Sequence, residues 1–276
     1  MEYYQIKRKK ELKLPERLKY QIRCFLSILL KPIYCRKRDT VFIKRKQKGL
    51  NDIPVFIISY NRLSYLEQFI PQLEKHGMTN IHIIDNCSTY PPLLDYYKKC
   101  PYDIIYMKKN KGHMVFWNSE EFDNYRSDFY IVSDPDLEIL ETCPNDFLTF
   151  FFEKLWKYPF VRKVGFSLKI DDLPLNGCIS MDAIKWEKQY YRTYIKKDNL
   201  YYAGIDTTFA LYVPDSLVGK QKFLSAFRAG NPYQMRHLPW YKDNNNITEE
   251  DLYYSSHKTN GWFDPVKGFR PDEIDN

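Results

Sequence analysis

Hydrophobic positions follow two rhythms along this chain. Ile53 to Ser59 (IPVFIIS) is apolar almost without a break, as a strand buried on both faces requires. Directly after it Leu63, Leu66, Phe69, Ile70 and Leu73 recur at helical spacing, which predicts a helix stopped by His76-Gly77. The alternation then repeats: a strand over 80–85 (NIHIID), a turn over 86–92, a short helix to about Cys100, a strand over 103–107 and a loop over 108–113. A strand over 128–133 (DFYIVS), a helix over 145–158 and a strand over 161–168 complete the series. Strands separated by helices at this spacing predict an α/β fold of right-handed βαβ units, with a mainly parallel Rossmann-type sheet flanked by helices.

The first fifty residues read differently. Between Glu16 and Lys31 the apolar residues Leu18, Ile22, Phe25, Leu26 and Leu29 fall on one face of a helix, with Arg17, Lys19 and Arg23 around it. Charge sets the stretch apart, because the chain carries +7 overall while residues 1–50 carry +12 and the other 226 carry −5. Basic clusters at Lys7 to Lys10, Arg36 to Arg38 and Lys44 to Lys46 supply much of that excess. The expected organisation is a basic helical extension over 1–50 joined to one domain over 51–276. Each basic group beside an anionic bilayer is worth about 1 kcal/mol, so the extension is expected to hold the protein peripherally on an anionic membrane surface. Packing of the same helix on the body or on a partner is the alternative. An RNA-binding arm is disfavoured, because the aromatics of this stretch are not interleaved with its basic groups, and no nucleic-acid partner is expected.

Composition narrows the class. With 44% hydrophobic residues, 17% aromatics and only 10 glycines among 276 residues, the chain is neither disordered nor collagenous and has material for a sizeable core. It contains no run of 18 apolar residues, as a membrane-crossing helix would need. The cysteines at 24, 35, 87, 100, 143 and 178 are widely spaced, form no CxxC pair and follow no signal-peptide pattern. Reduced thiols in a cytoplasmic setting, on the inner membrane face, are the expectation.

In open parallel sheets ligands lie beyond the carboxyl ends of the strands. Those ends carry Ser59-Tyr60-Asn61-Arg62, Asp85-Asn86-Cys87-Ser88, Lys108 to His113 and Ser133-Asp134-Pro135-Asp136. No GxGxxG and no GxxxxGK[ST] occurs, which disfavours a dinucleotide site and a P-loop. Two carboxylates at i and i+2 leaving a strand, Asp134 and Asp136, suit one hard divalent cation, although an isolated DxD is more often a solvated turn.

The segments VFIISYNR (55–62), IDNCST (84–89), KNKGH (109–113) and YIVSDPDLEI (130–139) together resemble the nucleotide-sugar half of GT-A fold glycosyltransferases similar to family 2. AGIDTTFALYVP (203–214) and MRHLPWY (235–241) look like parts of bacterial surface-polysaccharide enzymes of this type, extending the similarity over roughly 50–260. The resemblance implies transfer of a sugar from a nucleotide-sugar donor to a glycan or lipid-linked saccharide acceptor. It places Ser59, Asn61 and Arg62 near the nucleoside, Asp85 on the base, and Lys111, Gly112 and His113 at the lip of the cleft near phosphate or sugar oxygens. Asn86, in the same group, equally shapes its turn. Asp134 and Asp136 are implied to hold Mg²⁺ or Mn²⁺ against the diphosphate, with His237 as a further ligand whose nitrogen suits Mn²⁺ better.

An inverting enzyme of this kind needs a carboxylate base facing the acceptor hydroxyl. Asp206 stands at a chain position comparable to the family's base, with Glu187 and Asp172 as rivals. The Glu-Asp doublet of many relatives is replaced by Ile205-Asp206, so a retaining mechanism without a dedicated base stays open. Two other classes compete: a nucleotidyltransferase, which would need a glycine-rich phosphate loop where SYNRLSY stands, and a degenerate module that only binds glycans or membranes.

Overall fold

The computed structural model describes residues 15–29, 31–174, 178–215, 226–243, 246–258, 263–266 and 268–269. The side chains of 27–37, those of Leu29, Arg36 and Lys37 among them, lie outside what is described of the basic stretch, as do Lys7 to Lys10 altogether. Two helices, α1 (Glu16–Leu29) and α2 (Lys31–Lys48), precede the sheet. Then follow β1 (Val55–Ser59), α3 (Leu63–Lys75), β2 (Ile81–Asp85), α4 (Pro91–Tyr97), β3 (Asp103–Tyr106), β4 (Tyr130–Ser133), β5 (Leu137–Ile139), α5 (Phe147–Lys157) and β6 (Lys163–Leu168). The second half contributes α6 (Cys178–Glu187), β7 (Tyr194–Ile195), β8 (Leu200–Tyr202), β9 (Ala210–Tyr212), β10 (Ala226–His237) and α7 (Glu249–His257). A separate small ribbon pairs β11 (Phe263–Asp264) with β12 (Gly268–Phe269).

The main sheet runs β3-β2-β1-β4-β9-β6-β10-β8-β7, with β5 paired on the far end of β10. Strands β1 to β4 are mutually parallel, and β6 and β10 run in the same sense, so the sheet is mostly parallel. The expected alternation is present over 55–168, including a helix that stops at His76 and Gly77, the glycine at φ +75°. What the alternation did not predict is β9, which inserts antiparallel between β4 and β6. It follows a loop rather than a crossover helix, so although TTFALY (207–212) has a strand-like sequence, the βαβ alternation gives no place for it. Gly165 makes this insertion possible: a Cβ there would sit 2.3 Å from the Phe209 carbonyl oxygen.

The two faces of the sheet are covered differently. Val55 and Ile57 of β1 face a large core built with α3, α4 and α5, through residues such as Leu66, Phe69, Leu93, Phe147 and Phe151. Phe56 and Ile58 point the other way, into a smaller aromatic core with Phe116, Trp117, Phe122, Tyr130 and Tyr212. No long helix lies over that second face among the described residues; the 107–127 segment, with two short 3₁₀ turns, covers it. Ile205, just ahead of Asp206, is part of this second core.

α2 falls within the 1–50 stretch set apart by charge, yet it sends Phe42 into the main core, 4.9 Å from the Phe129 ring and 5.0 Å from that of Phe152. Arg45, also buried, donates to Asp52 at 2.6 Å and pairs with Asp128. α1 rests on the body through Tyr20, whose ring lies 5.7 Å from Tyr202 and 6.2 Å from Phe227, and through Arg23, which bonds the Tyr202 hydroxyl. The apolar stripe read from the sequence is therefore not the face that docks. Leu18, Ile22, Phe25 and Leu26 look outward, Phe25 with 64% of its surface exposed. None of the described helices is long and apolar enough to cross a membrane.

Phe42→Ala is expected to cost about 3–5 kcal/mol of stability, the range for deleting a buried phenyl ring, with equilibrium urea unfolding as the measurement. An appendage with no part in the core would leave the midpoint unmoved.

Candidate functional site at the carboxyl end of the sheet

The sheet delivers acidic side chains to one place by two independent routes. β4 ends at Ser133, and the chain turns through Asp134-Pro135-Asp136 into β5. β5 pairs antiparallel with the end of β10, setting Leu137 opposite His237, and the Leu238 N–H donates to the Asp136 carbonyl at 2.9 Å. This ladder is why a histidine so far along the sequence arrives beside the turn: His237 Nε2 lies 3.6 Å from Asp136 Oδ2. The second route runs through β9. The loop entering it carries Asp206 and Thr207, and the Thr207 hydroxyl donates to Asp134 Oδ2 at 2.6 Å.

Electrostatics describes what has been gathered. Burial raises the Asp134 pKa well above the carboxylate norm, and the charges of Asp136 and Asp206 push it further while the Thr207 hydrogen bond opposes. Burial lowers the His237 pKa, Arg62 adds to that, and Asp136 and Asp206 counter it. Neither Asp134 nor Asp206 has a lysine or arginine ion-pair partner among the described residues. Asp136 Oδ1 and His237 Nδ1 are buried without a hydrogen-bond partner, and the Thr208 hydroxyl nearby in the chain is likewise unpartnered. Like-charged carboxylates, an orphaned carboxylate oxygen and an imidazole make a donor set that suits a divalent cation. Among the described residues, however, no three such side chains already stand in a ligating arrangement.

The other candidates at strand ends serve mainly the architecture. Ser59 is buried and accepts from the Tyr97 hydroxyl at 3.1 Å. Asn61, at φ +51°, accepts with Oδ1 from the Thr89 and Tyr90 N–H groups at 2.7 and 2.9 Å, closing the turn after β2, while its Nδ2 is left unpartnered. Arg62 is buried against α7, 2.8 Å from Asp251 and 4.4 Å from the Tyr254 ring centre. Beside it Glu250 accepts from the Leu63 and Ser64 N–H groups at 2.9 Å, capping α3. α7 is capped ahead of Glu249 by Thr248, in a reciprocal pair with Asp251. Asp85 is buried and accepts from Ser88 N and the Tyr97 hydroxyl, the latter at 3.3 Å. Asn86 clamps the following loop, donating to Asn110 Oδ1 and the Gly112 carbonyl and accepting from Lys111 N. Gly112, at φ +70°, lets that loop turn back. Lys111 Nζ donates to Ser119 at 2.7 Å, and His113 is exposed.

The three candidate bases separate clearly. Glu187 is buried and paired with Arg228, so it does not face solvent. Asp172 is held by the Tyr241 hydroxyl at 2.6 Å and by Arg236 at 2.7 Å; burial pushes its pKa up, but these partners bring it below the usual value. Asp206 is exposed between the buried Ile205 and Thr207.

Thr207, Lys163 and Arg228 were not read as site residues. Thr207 lies in the loop ahead of β9 and gave no signal. Lys163 did offer one, since a lysine in the apolar run of β6 must find partners when buried. Comparison of the chain with protein-family models finds no match, and comparison with curated proteins finds none.

Asn61→Ala is expected to strand two buried N–H groups and to place alanine at a positive φ, costing roughly 2–4 kcal/mol. A melting temperature unchanged from the parent would refute the structural role given to this side chain.

Proposed function

We propose that this chain is a GT-A-like glycosyltransferase that moves a sugar from a nucleotide-sugar donor to a glycan or lipid-linked saccharide acceptor, as in cell-surface polysaccharide synthesis. The observation that carries the reading is the convergence of Asp134-Pro135-Asp136, His237 and the exposed Asp206 at the carboxyl end of β4. Asp134, Asp136 and His237 would hold Mn²⁺ or Mg²⁺, which when bound supplies positive charge to a departing nucleoside diphosphate. Asp206 accepts the proton of the acceptor hydroxyl as its oxygen attacks the anomeric carbon. The bond from that carbon to the phosphate oxygen breaks, its electrons leave with the diphosphate, and the anomeric configuration inverts. Lys111 and His113, on the loop after β3, would meet phosphate or sugar oxygens.

Release of nucleoside diphosphate is the measurement, across a donor panel with Mn²⁺. Asp136→Ala is expected to abolish it, and Asp206→Asn to lower kcat by about 10²- to 10⁴-fold with donor affinity little changed. Wild-type turnover in Asp206→Asn would remove the base from the mechanism and leave a retaining route. One observation favours a non-catalytic module as the second reading: Ser59, Asn61, Asp85 and Asn86 are all buried and engaged within the protein. Absence of both turnover and nucleotide binding would support it.

The outward face of α1 supports peripheral attachment to the cytoplasmic, inner face of a membrane. Leu18, Ile22, Phe25 and Leu26 present exposed apolar surface within a stretch of net charge +12. Flotation with phosphatidylserine vesicles is expected to carry the protein up at low salt, and Ile22→Glu with Phe25→Glu to leave it at the bottom. Equal flotation of that variant, or flotation with neutral lipid alone, would refute the attachment.

A further inference from the structure

Beneath the loop that carries Asp206, two cations are buried on neighbouring strands where an apolar side chain would ordinarily stand. Lys163 of β6 and Arg228 of β10 are 1% and 3% exposed. Lys163 pairs with Ala226 in the β6–β10 register and Gly165 with Arg228, so both side chains leave the same face of the sheet. That is the face of the smaller core, into which Ile205 inserts. Each cation takes one backbone carbonyl of the same loop: Arg228 Nε donates to Gly204 O at 2.6 Å, and Lys163 Nζ donates to Ile205 O at 2.5 Å.

The arrangement is held from further out. Arg228 is paired with buried Glu187 and stacked 4.0 Å over the Tyr190 ring, while Lys163 Nζ lies 3.3 Å from the Tyr212 hydroxyl. On the other side of the loop Thr207 is tied to Asp134. Gly204, Ile205 and Thr207 are therefore each fixed by a different partner, and Asp206 between them is the residue that points out.

We propose that Lys163 and Arg228 are positioning residues, which hold the 204–207 backbone so that the Asp206 carboxylate stands in a fixed place beside the Asp134-Pro135-Asp136 turn. The proposal rests on the glycosyltransferase reading for its catalytic meaning, though not for its structural content. Two carbonyls buried under a loop must be paired or carry a desolvation penalty. Donors supplied from the rigid sheet satisfy them and at the same time remove the loop's freedom. Lys163 fulfils this in either protonation state, since a neutral amine still donates. Burial, opposed by the charge of Asp206 and assisted by that of Arg228, brings its pKa down to about 7.

Lys163→Met keeps length and volume while removing the donor and its charge, so it is the primary variant. Arg228→Met leaves Glu187 buried and unpaired and is paired with Glu187→Gln to preserve folding. Amide hydrogen exchange of the peptide spanning 203–208 is expected to accelerate at least tenfold in both, with far-UV circular dichroism unchanged. In transfer assays Lys163→Met is expected to lower kcat at least tenfold with donor KM within twofold. Combined with Asp206→Asn it should fall no further than Asp206→Asn alone, as residues acting through one group do. If Asp206→Asn is impaired while Lys163→Met turns over at the parental rate, the positioning role is overturned and the transferase reading survives. If no donor is turned over by the parent, that reading falls instead. Hydrogen exchange then still decides the pinning, and unchanged exchange in both variants refutes it.

Discussion

Mutual repulsion among Asp134, Asp136 and Asp206 is the constraint to which the rest of this structure answers. Carboxylates do not gather without cause: one pair leaves β4, and the third rides the loop that leads into the neighbouring strand β9. The gathering is imposed by backbone pairing. β9 is inserted between β4 and β6, which sets the loop ahead of it next to the β4 turn, and β5 is tied to β10, which fixes Asp136 against His237. The stability of ladders and apolar cores supplies what the electrostatics opposes, and the opposition leaves unpartnered polar atoms at the meeting point.

Much of the first half of the chain was legible because its elements are long and periodic. IPVFIIS, NIHIID and FYIVS are continuous apolar runs ending in polar residues, and parallel strands under helices leave that trace. The second half was not legible in the same way. β10 serves three partners in turn, with its register against β6 shifting between Ala229 and Gln234, and its sequence AFRAGNPYQMRH follows neither period. Glycine, asparagine and proline in its middle read as a turn, yet they mark the point where the strand passes from one set of neighbours to another.

The strand-end residues of the candidate site were legible in the sequence, and the contacts they make were less so. Placing Asp134, Asp136 and His237 together needed the β5–β10 ladder, which the sequence did not reveal. Ser59, Asn61, Asp85 and Asn86 were singled out for standing at strand ends, where ligands bind, but strand ends also need turns, and short polar side chains build them. Asn61 and Asn86 spend their amides on backbone groups of the next loop. Polarity at a strand end marks a loop that must be shaped; exposure, as at Asp206 and His113, is the property that sequence pattern left undetermined.

The burial of Phe42 and Arg45 has a practical side. Charge alone would draw the border of a trimmed fragment near residue 50, since the basic excess ends there. Such a cut would leave a hole between Phe129, Phe152 and Trp156 and strip Asp52 and Asp128 of their shared guanidinium. A fragment meant for crystals or for assays free of lipid should begin between α1 and α2, retaining the latter as an integral wall of the body.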